Sequence, residues 1–161
     1  MQKITPNLWF DTQAEEAAKY YVSVFKDSKM GEVSYYDKAG SEVSGMPERS
    51  VLTAEFEIHG MKFVGINGGP MFKFTEAVSF SIECKDQEEL DYFTSKLSAH
   101  PESEQCGWVK DQFGLSWQIV PSALQKLLKN SDKAAAGRVM QAMLKMKRLN
   151  IAELEQAAAG K

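Results

Sequence analysis

The chain has 161 residues and a net charge of −3, with acids and bases interspersed and only two cysteines, Cys84 and Cys106. That length buries a core without disulfide staples, no apolar run approaches the roughly 20 residues of a membrane span, and the one short basic run, Lys145 to Arg148, is no stripe for nucleic acid. Neither a membrane nor a nucleic acid is therefore an expected partner, and a chain with so few cysteines and no leader pattern at its start is expected in the cytoplasm.

In chain order, Ile4 to Phe10 reads as a short strand whose Pro6 places it at a strand start or sheet edge. A helix follows, with Thr12 and Glu15 in capping-box spacing and Ala17, Tyr20, Tyr21, Val24 and Phe25 along one stripe. Met30 to Asp37 is the next strand, and Lys38 to Arg49, rich in charge and interrupted by glycine and proline, is expected to be a long polar loop. Val51 to Ile58 and Met61 to Asn67 form a hairpin about His59-Gly60. Gly68-Gly69-Pro70 must be a loop; no lysine follows at phosphate-loop spacing and no helix starts there.

The next segment repeats the first. Ala77 to Cys84 is a strand, Asp86 and Glu89 form a second capping box, and Leu90, Tyr92, Phe93 and Leu97 form a second stripe. An offset of 72 places Glu16 on Glu88, Tyr20 on Tyr92, Tyr21 on Phe93 and Phe25 on Leu97. The half closes on a hairpin, with Gly107 to Lys110 and Leu115 to Val120 as arms and Asp111-Gln112-Phe113-Gly114 as the turn. Alternation along the second arm sets Leu115, Trp117 and Ile119 against Ser116, Gln118 and Val120. Beyond Pro121 the chain turns helical, over 122–129, then from a cap at Asp132 through Arg148, then from a cap at Asn150 through Ala158. Val139, Met140, Met143 and Leu144 trace a face of the middle helix that is expected to be covered by the sheet or by a second subunit.

Four stretches carry a family resemblance: Gln13-Ala14-Glu15-Glu16-Ala17, Asn67-Gly68-Gly69-Pro70, Cys84 with Gln87-Glu88-Glu89, and the hairpin CGWVKDQFGLSWQIVP from Cys106 to Pro121. Together they resemble the PhnB-like family of the vicinal-oxygen-chelate superfamily (glyoxalases, bleomycin resistance proteins, dioxygenases), a family often labelled 3-demethylubiquinone-9 3-methyltransferase. The resemblance spans residues 3 to 121, and the tail is similar to the helical extension of many members. It implies an α+β fold of two βαβββ modules forming a glyoxalase-like half-barrel pair, residues 1–70 and 71–122, with a C-terminal helical extension, 123–161.

In metal-dependent members, the resemblance further implies, each half supplies one ligand from its first strand and one carboxylate from its last. Those positions fall here at Pro6, between Val64 and Ile66, at Val78 and at Gln118. One neutral amide cannot hold a divalent cation, so neither a metal nor another cofactor is expected. His59, in a hairpin turn, and His100, before a proline, read as solvated loop residues, and neither cysteine has a recognisable base beside it. Trp117 belongs to the core by alternation. The candidate pocket residues are Gln118, Asn67, Trp108 and Trp9, with the 38–49 loop as a further wall. The expected function is metal-independent binding or turnover of a small molecule by a homodimer. The methyltransferase of the family label and a dimeric structural module without catalysis are the alternatives; no glycine-rich loop after a first strand supports the former.

Overall fold

The computed structural model describes residues 3–161. The chain divides into two compact units, Met1–Phe74 and Thr75–Lys161. Each has a mixed sheet with a helix against one face.

In the first unit, β1 (Asn7–Phe10), β2 (Ser28–Tyr35), β3 (Val51–Ile58) and β4 (Met61–Asn67) form a sheet in the order β1-β4-β3-β2. β1 runs parallel to β4, with Asn7 opposite Val64 and Phe10 opposite Asn67, and the other pairs are antiparallel. The β3–β4 turn at His59 and Gly60 takes positive φ at both residues, the geometry that joins strands by two residues without splaying them. α1 (Ala14–Val24) buries Ala14, Ala17, Ala18, Tyr21 and Val24 against the side of the sheet that carries Leu8, Phe10, Ala54, Phe56 and Phe63. Gly65 is required at this contact, because a Cβ there would stand 3.1 Å from that of Ala14.

Two local expectations are corrected here. Thr12 and Glu15 do not cap α1. Its N-cap position is Gln13, which makes no side-chain cap, and the Ala14 N–H donates instead to Asn67 Oδ1 at the end of β4, 2.8 Å away. Glu15 is drawn to Lys19 one turn on, at 2.6 Å. A rigid acceptor presented by the sheet outcompetes a flexible local one. The expected loop after Asp37 is largely a helix, α2 (Lys38–Ser44), capped by Asp37, which accepts from the Gly40 N–H at 2.7 Å, and ended by Gly45 in the left-handed conformation. It buries none of its own residues, so no apolar stripe announced it.

The second unit builds the same module with a shorter middle. β5 (Ser79–Cys84), β6 (Trp108–Lys110) and β7 (Ser116–Pro121) form a sheet in the order β5-β7-β6. β5 is parallel to β7 and β6 antiparallel to it, as β1 and β3 are to β4. The strand expected between helix and hairpin is reduced to a 3₁₀ turn at Pro101–Ser103 and a single bridge from Gln105 to Trp108; proline there removes a ladder donor. The pattern remains that of a βαβββ pair, with sheets of four and three strands. α3 (Gln87–Leu97) has the expected cap, with Asp86 accepting from the Glu89 N–H and Glu89 reaching back to the Lys85 N–H. The 72-residue offset superposes buried Ala18, Tyr21 and Phe25 on buried Leu90, Phe93 and Leu97.

The tail forms α4 (Ser122–Leu128), α5 (Lys133–Met143) and α6 (Ile151–Ala159), the last two capped by Asp132 and Asn150. It docks on its own module through backbone. The Cys106 and Gly107 N–H groups donate to Met146 and Lys147 carbonyls, both at 2.8 Å. The Gln87 amide donates to the Leu149 carbonyl and accepts from the Ile151 N–H. The stripe expected to be covered on α5 is covered only in part. Val139 is fully buried, whereas Met140 and Leu144 are 40% and 56% exposed, because the helix ends at Met143 and the chain turns back toward Gly107.

Candidate functional site

Alternation in the second sheet gives it two chemically distinct faces. Phe80, Ile82, Cys84, Val109, Trp117 and Ile119 lie on the side of α3, and Ser79, Ser81, Trp108, Lys110, Ser116 and Gln118 on the other. Trp108 pairs directly with Gln118, and Lys110 with Ser116, across β6 and β7; Ser79 pairs with Ser116 across β5 and β7. Two of the candidate residues, Trp108 and Gln118, are thus brought together. The Gln118 amide donates to Ser79 Oγ at 2.8 Å, which orients it and leaves its other end for a ligand or water. Lys110 forms an ion pair with Glu76, a residue preceding β5. The bond from Lys110, then that from its own backbone, holds the Glu76 carboxyl below the usual range. Ser116 is buried, and its hydroxyl is the one buried side-chain polar atom without a hydrogen-bond partner among the described residues. An indole edge, an oriented amide, three hydroxyls and an ammonium make a surface suited to a small polar molecule.

The hairpin that presents this face is held by a residue that sequence reasoning placed in an ordinary turn. Asp111 is 0% exposed. Its Oδ1 accepts from the Phe113 and Leu115 N–H groups at 2.9 and 3.0 Å, and its Oδ2 from Trp117 Nε1 at 2.8 Å. A carboxylate is stable in a core only when its oxygens are so occupied. The spacing of Asp111 from Trp117, together with the glycine turn between them, was the available signal.

The other two candidates belong to the first unit. Trp9, on β1, donates its indole N–H to the Gly69 carbonyl at 2.9 Å and meets Phe72 edge-on with ring centres 5.0 Å apart. Gly68 passes so close beneath the indole that a Cβ would lie 2.1 Å from the ring, which explains the Gly68-Gly69 pair without a phosphate. Asn67 is engaged in the scaffold of its own unit. It is 2% exposed, accepts from the start of α1, donates to the Val51 carbonyl at 3.1 Å, and its own carbonyl accepts from the Tyr36 hydroxyl at 2.6 Å. Each end of its amide thus makes one bond to the backbone of its own unit. The open face of this sheet also holds a hollow of about 350 Å³ among Lys29, Glu55, Glu57 and Lys62. Within it Lys29 pairs with Glu57 at 3.6 Å.

Metal-ligand positions implied by the superfamily do not fit a cation. Pro6 offers only a backbone carbonyl, already accepting from the Val64 N–H at 3.0 Å. Val64, Gly65 and Ile66 have no donor, Val78 is exposed, and Gln118 is one amide engaged with Ser79. Among the described residues no three histidine, cysteine, aspartate or glutamate side chains gather as a metal site. His59 packs on the Phe25 ring in its turn and His100 faces Glu102 at 3.3 Å. Burial, and secondarily Glu89 and Asp86, push the Cys84 thiol up to about 12, so it carries no thiolate at neutral pH. Cys106 occupies a positive-φ turn before Gly107, half-buried, with the Gln105 amide 3.3 Å from its sulfur.

Fold and site together define an α+β protein of two βαβββ-type modules, with a polar face on its second sheet. The model of the family described as 3-demethylubiquinone-9 3-methyltransferase matches residues 2–120, from the first strand to the last. A structure described as a putative 3-demethylubiquinone-9 3-methyltransferase, PhnB protein, from Bacillus cereus is 34% identical, with a TM-score of 0.62 over 75% of this chain and 100% of that one. Protein PA1353 from Pseudomonas aeruginosa shares the fold at 16% identity and a TM-score of 0.51, over 75% and 98% of the two chains. The fosfomycin resistance protein FosX from Listeria monocytogenes, at 11% identity and 0.48 over 78% and 97%, is a distant likeness on which nothing below rests. No protein of curated function matches. The chain belongs to the family described as 3-demethylubiquinone-9 3-methyltransferase.

Proposed function

We propose that the chain is a metal-independent small-molecule-binding protein or enzyme whose ligand lies against the Trp108–Gln118 face. The observation that carries this is Gln118 itself. A strand built only for packing would place an aliphatic side chain opposite Trp108, whereas here an amide stands there and is aimed by Ser79. Metal independence rests on the donor set, which offers no charged ligand at the superfamily positions. A methyl transfer would require a bound methyl donor, and one well-characterised way to hold a nucleoside cofactor is the switch point of a doubly wound parallel sheet. Neither sheet here has that topology, so the reaction in the family name is not the reading we adopt.

The test replaces Gln118 with leucine and screens both proteins by thermal shift against ketoacids, quinones, phosphonates and S-adenosylmethionine. The expected result is a hit whose affinity falls about tenfold in the variant, or about 1.4 kcal/mol. A variant that binds every hit as tightly as the wild type removes the pocket reading, and tight S-adenosylmethionine binding restores the methyltransferase. We place the protein in the cytoplasm as a homodimer; β2, exposed at a sheet edge, and the uncovered Met140 and Leu144 are what a twofold partner would protect. Sedimentation as a monomer at micromolar concentration would refute the dimer.

A further inference from the structure

We propose that Ser116, Ser79 and Lys110 form a carboxylate-accepting subsite beside Gln118, so that the ligand is a small organic acid that takes the place of Glu76 on the Lys110 ammonium. This rests on the pocket reading above.

Ser116 is 1% exposed, and its hydroxyl finds no partner. A buried hydroxyl without a hydrogen bond is destabilising relative to an alanine of nearly the same shape. The hydroxyl calls for an acceptor or donor that the described residues do not supply. Its two cross-strand neighbours are Ser79 and Lys110, and side chains directly opposed on paired strands have Cβ atoms about 4.5–5.5 Å apart. The three side chains are therefore neighbours on one face, and a group admitted to that face beside the Ser116 hydroxyl lies within reach of the other two. Gln118, two residues on and on the same face, binds Ser79 and bounds the subsite on the Trp108 side.

The charge of the ligand follows from Lys110. Its side chain is 24% exposed, and its partner Glu76 is 61% exposed and lies outside β5. Glu76 is thus a removable counter-ion. A ligand carboxylate would leave the charge count unchanged, with one oxygen on the Lys110 ammonium in place of Glu76 and the other accepting from Ser116 Oγ, while Ser79 supplies a second hydroxyl. A dianion is disfavoured, because one ammonium neutralises only one of its charges and Glu83 lies farther along the same face of β5.

The experiment titrates the ¹⁵N-labelled full chain with pyruvate, lactate and acetate, and separately with inorganic phosphate at matched ionic strength. The expected result is saturable shifts of the Ser79, Lys110 and Ser116 amides with at least one carboxylate, weakened fivefold or more by Ser116→Ala and by Lys110→Met, with phosphate weaker. The ligand-free Ser116→Ala protein should melt no lower than the wild type, which shows that the loss is one of binding rather than of folding. The proposal is overturned if no carboxylate shifts these amides, if Ser116→Ala binds as the wild type does, or if phosphate binds more tightly. A screen hit that shifts Trp108 and Gln118 but is indifferent to Ser116→Ala sinks the subsite and leaves the pocket; loss of every hit sinks both.

Discussion

Removing the Asp111 carboxylate tests whether one turn residue holds the hairpin that carries Trp108 and Gln118. Asp111→Ala deletes the acceptor of three N–H groups, of which Leu115 N–H and Trp117 Nε1–H are buried. Two buried donors left unpaired cost about 1–3 kcal/mol each, or about 2–6 kcal/mol together. The variant no longer desolvates a charge, which returns part of that. We expect a net loss of about 3–4 kcal/mol, a large fraction of the stability of a small domain. Asp111→Asn keeps the Oδ1 acceptor but turns an amide N–H₂ toward the indole N–H, and should cost about 1–3 kcal/mol. Urea unfolding followed by far-ultraviolet circular dichroism is the assay, since tryptophan fluorescence would report the altered Trp117 directly. Combining Asp111→Asn with Trp117→Phe should be less damaging than the sum of the two single variants, because each removes one side of a single bond. The reasoning fails if Asp111→Ala lies within about 1 kcal/mol of the wild type at an unchanged m-value, or if Asp111→Asn is indistinguishable from it.

Asn67→Ala should lose about 2–3 kcal/mol, combining a lost helix cap with a buried unpaired carbonyl, and Asn67→Asp should recover the part owed to the Ala14 N–H; equal losses in the two variants would contradict the capping role. Gly68→Ala forces a methyl into the Trp9 indole and should cost about 1–3 kcal/mol with a changed near-ultraviolet spectrum; an unperturbed spectrum would show that the contact is not tight. In the native protein Cys84, buried and with its thiol pushed up to about 12, should resist iodoacetamide while Cys106 reacts, and both should react in denaturant; rapid native labelling of Cys84 would refute its burial. Glu76 has a lowered folded pKa, so its stabilising contribution is complete above the usual carboxylate range and lost as pH falls through the lowered value. The melting difference between wild type and Glu76→Gln should therefore shrink on acidification, and a constant difference would contradict the Lys110 pair.

Periodicity alone sufficed wherever a segment buries one side against its own neighbours. The stripes of α1 and α3, the His59-Gly60 hairpin and the alternation of β7 are all written in local order, since an amphipathic period is a property of consecutive residues. The caps at Asp86, Asp132 and Asn150 were legible for the same reason, their acceptors lying three residues or fewer from the donors they serve. Sequence likewise led to Gln118 and Trp108, which one hairpin register brings side by side. The failures were long-range. Thr12 has the right spacing to cap α1, but Asn67, far along the chain, arrives with a fixed carbonyl at the Ala14 N–H and takes the role. α2 has no buried stripe to announce it. Ser116 reads as one more serine until three strands close round it and leave its hydroxyl unpaired. Asp111 reads as a turn residue until Trp117 folds over it. Burial is a property of the assembled sheet rather than of any window of sequence, and burial is what turns an ordinary polar side chain into a strut or a site.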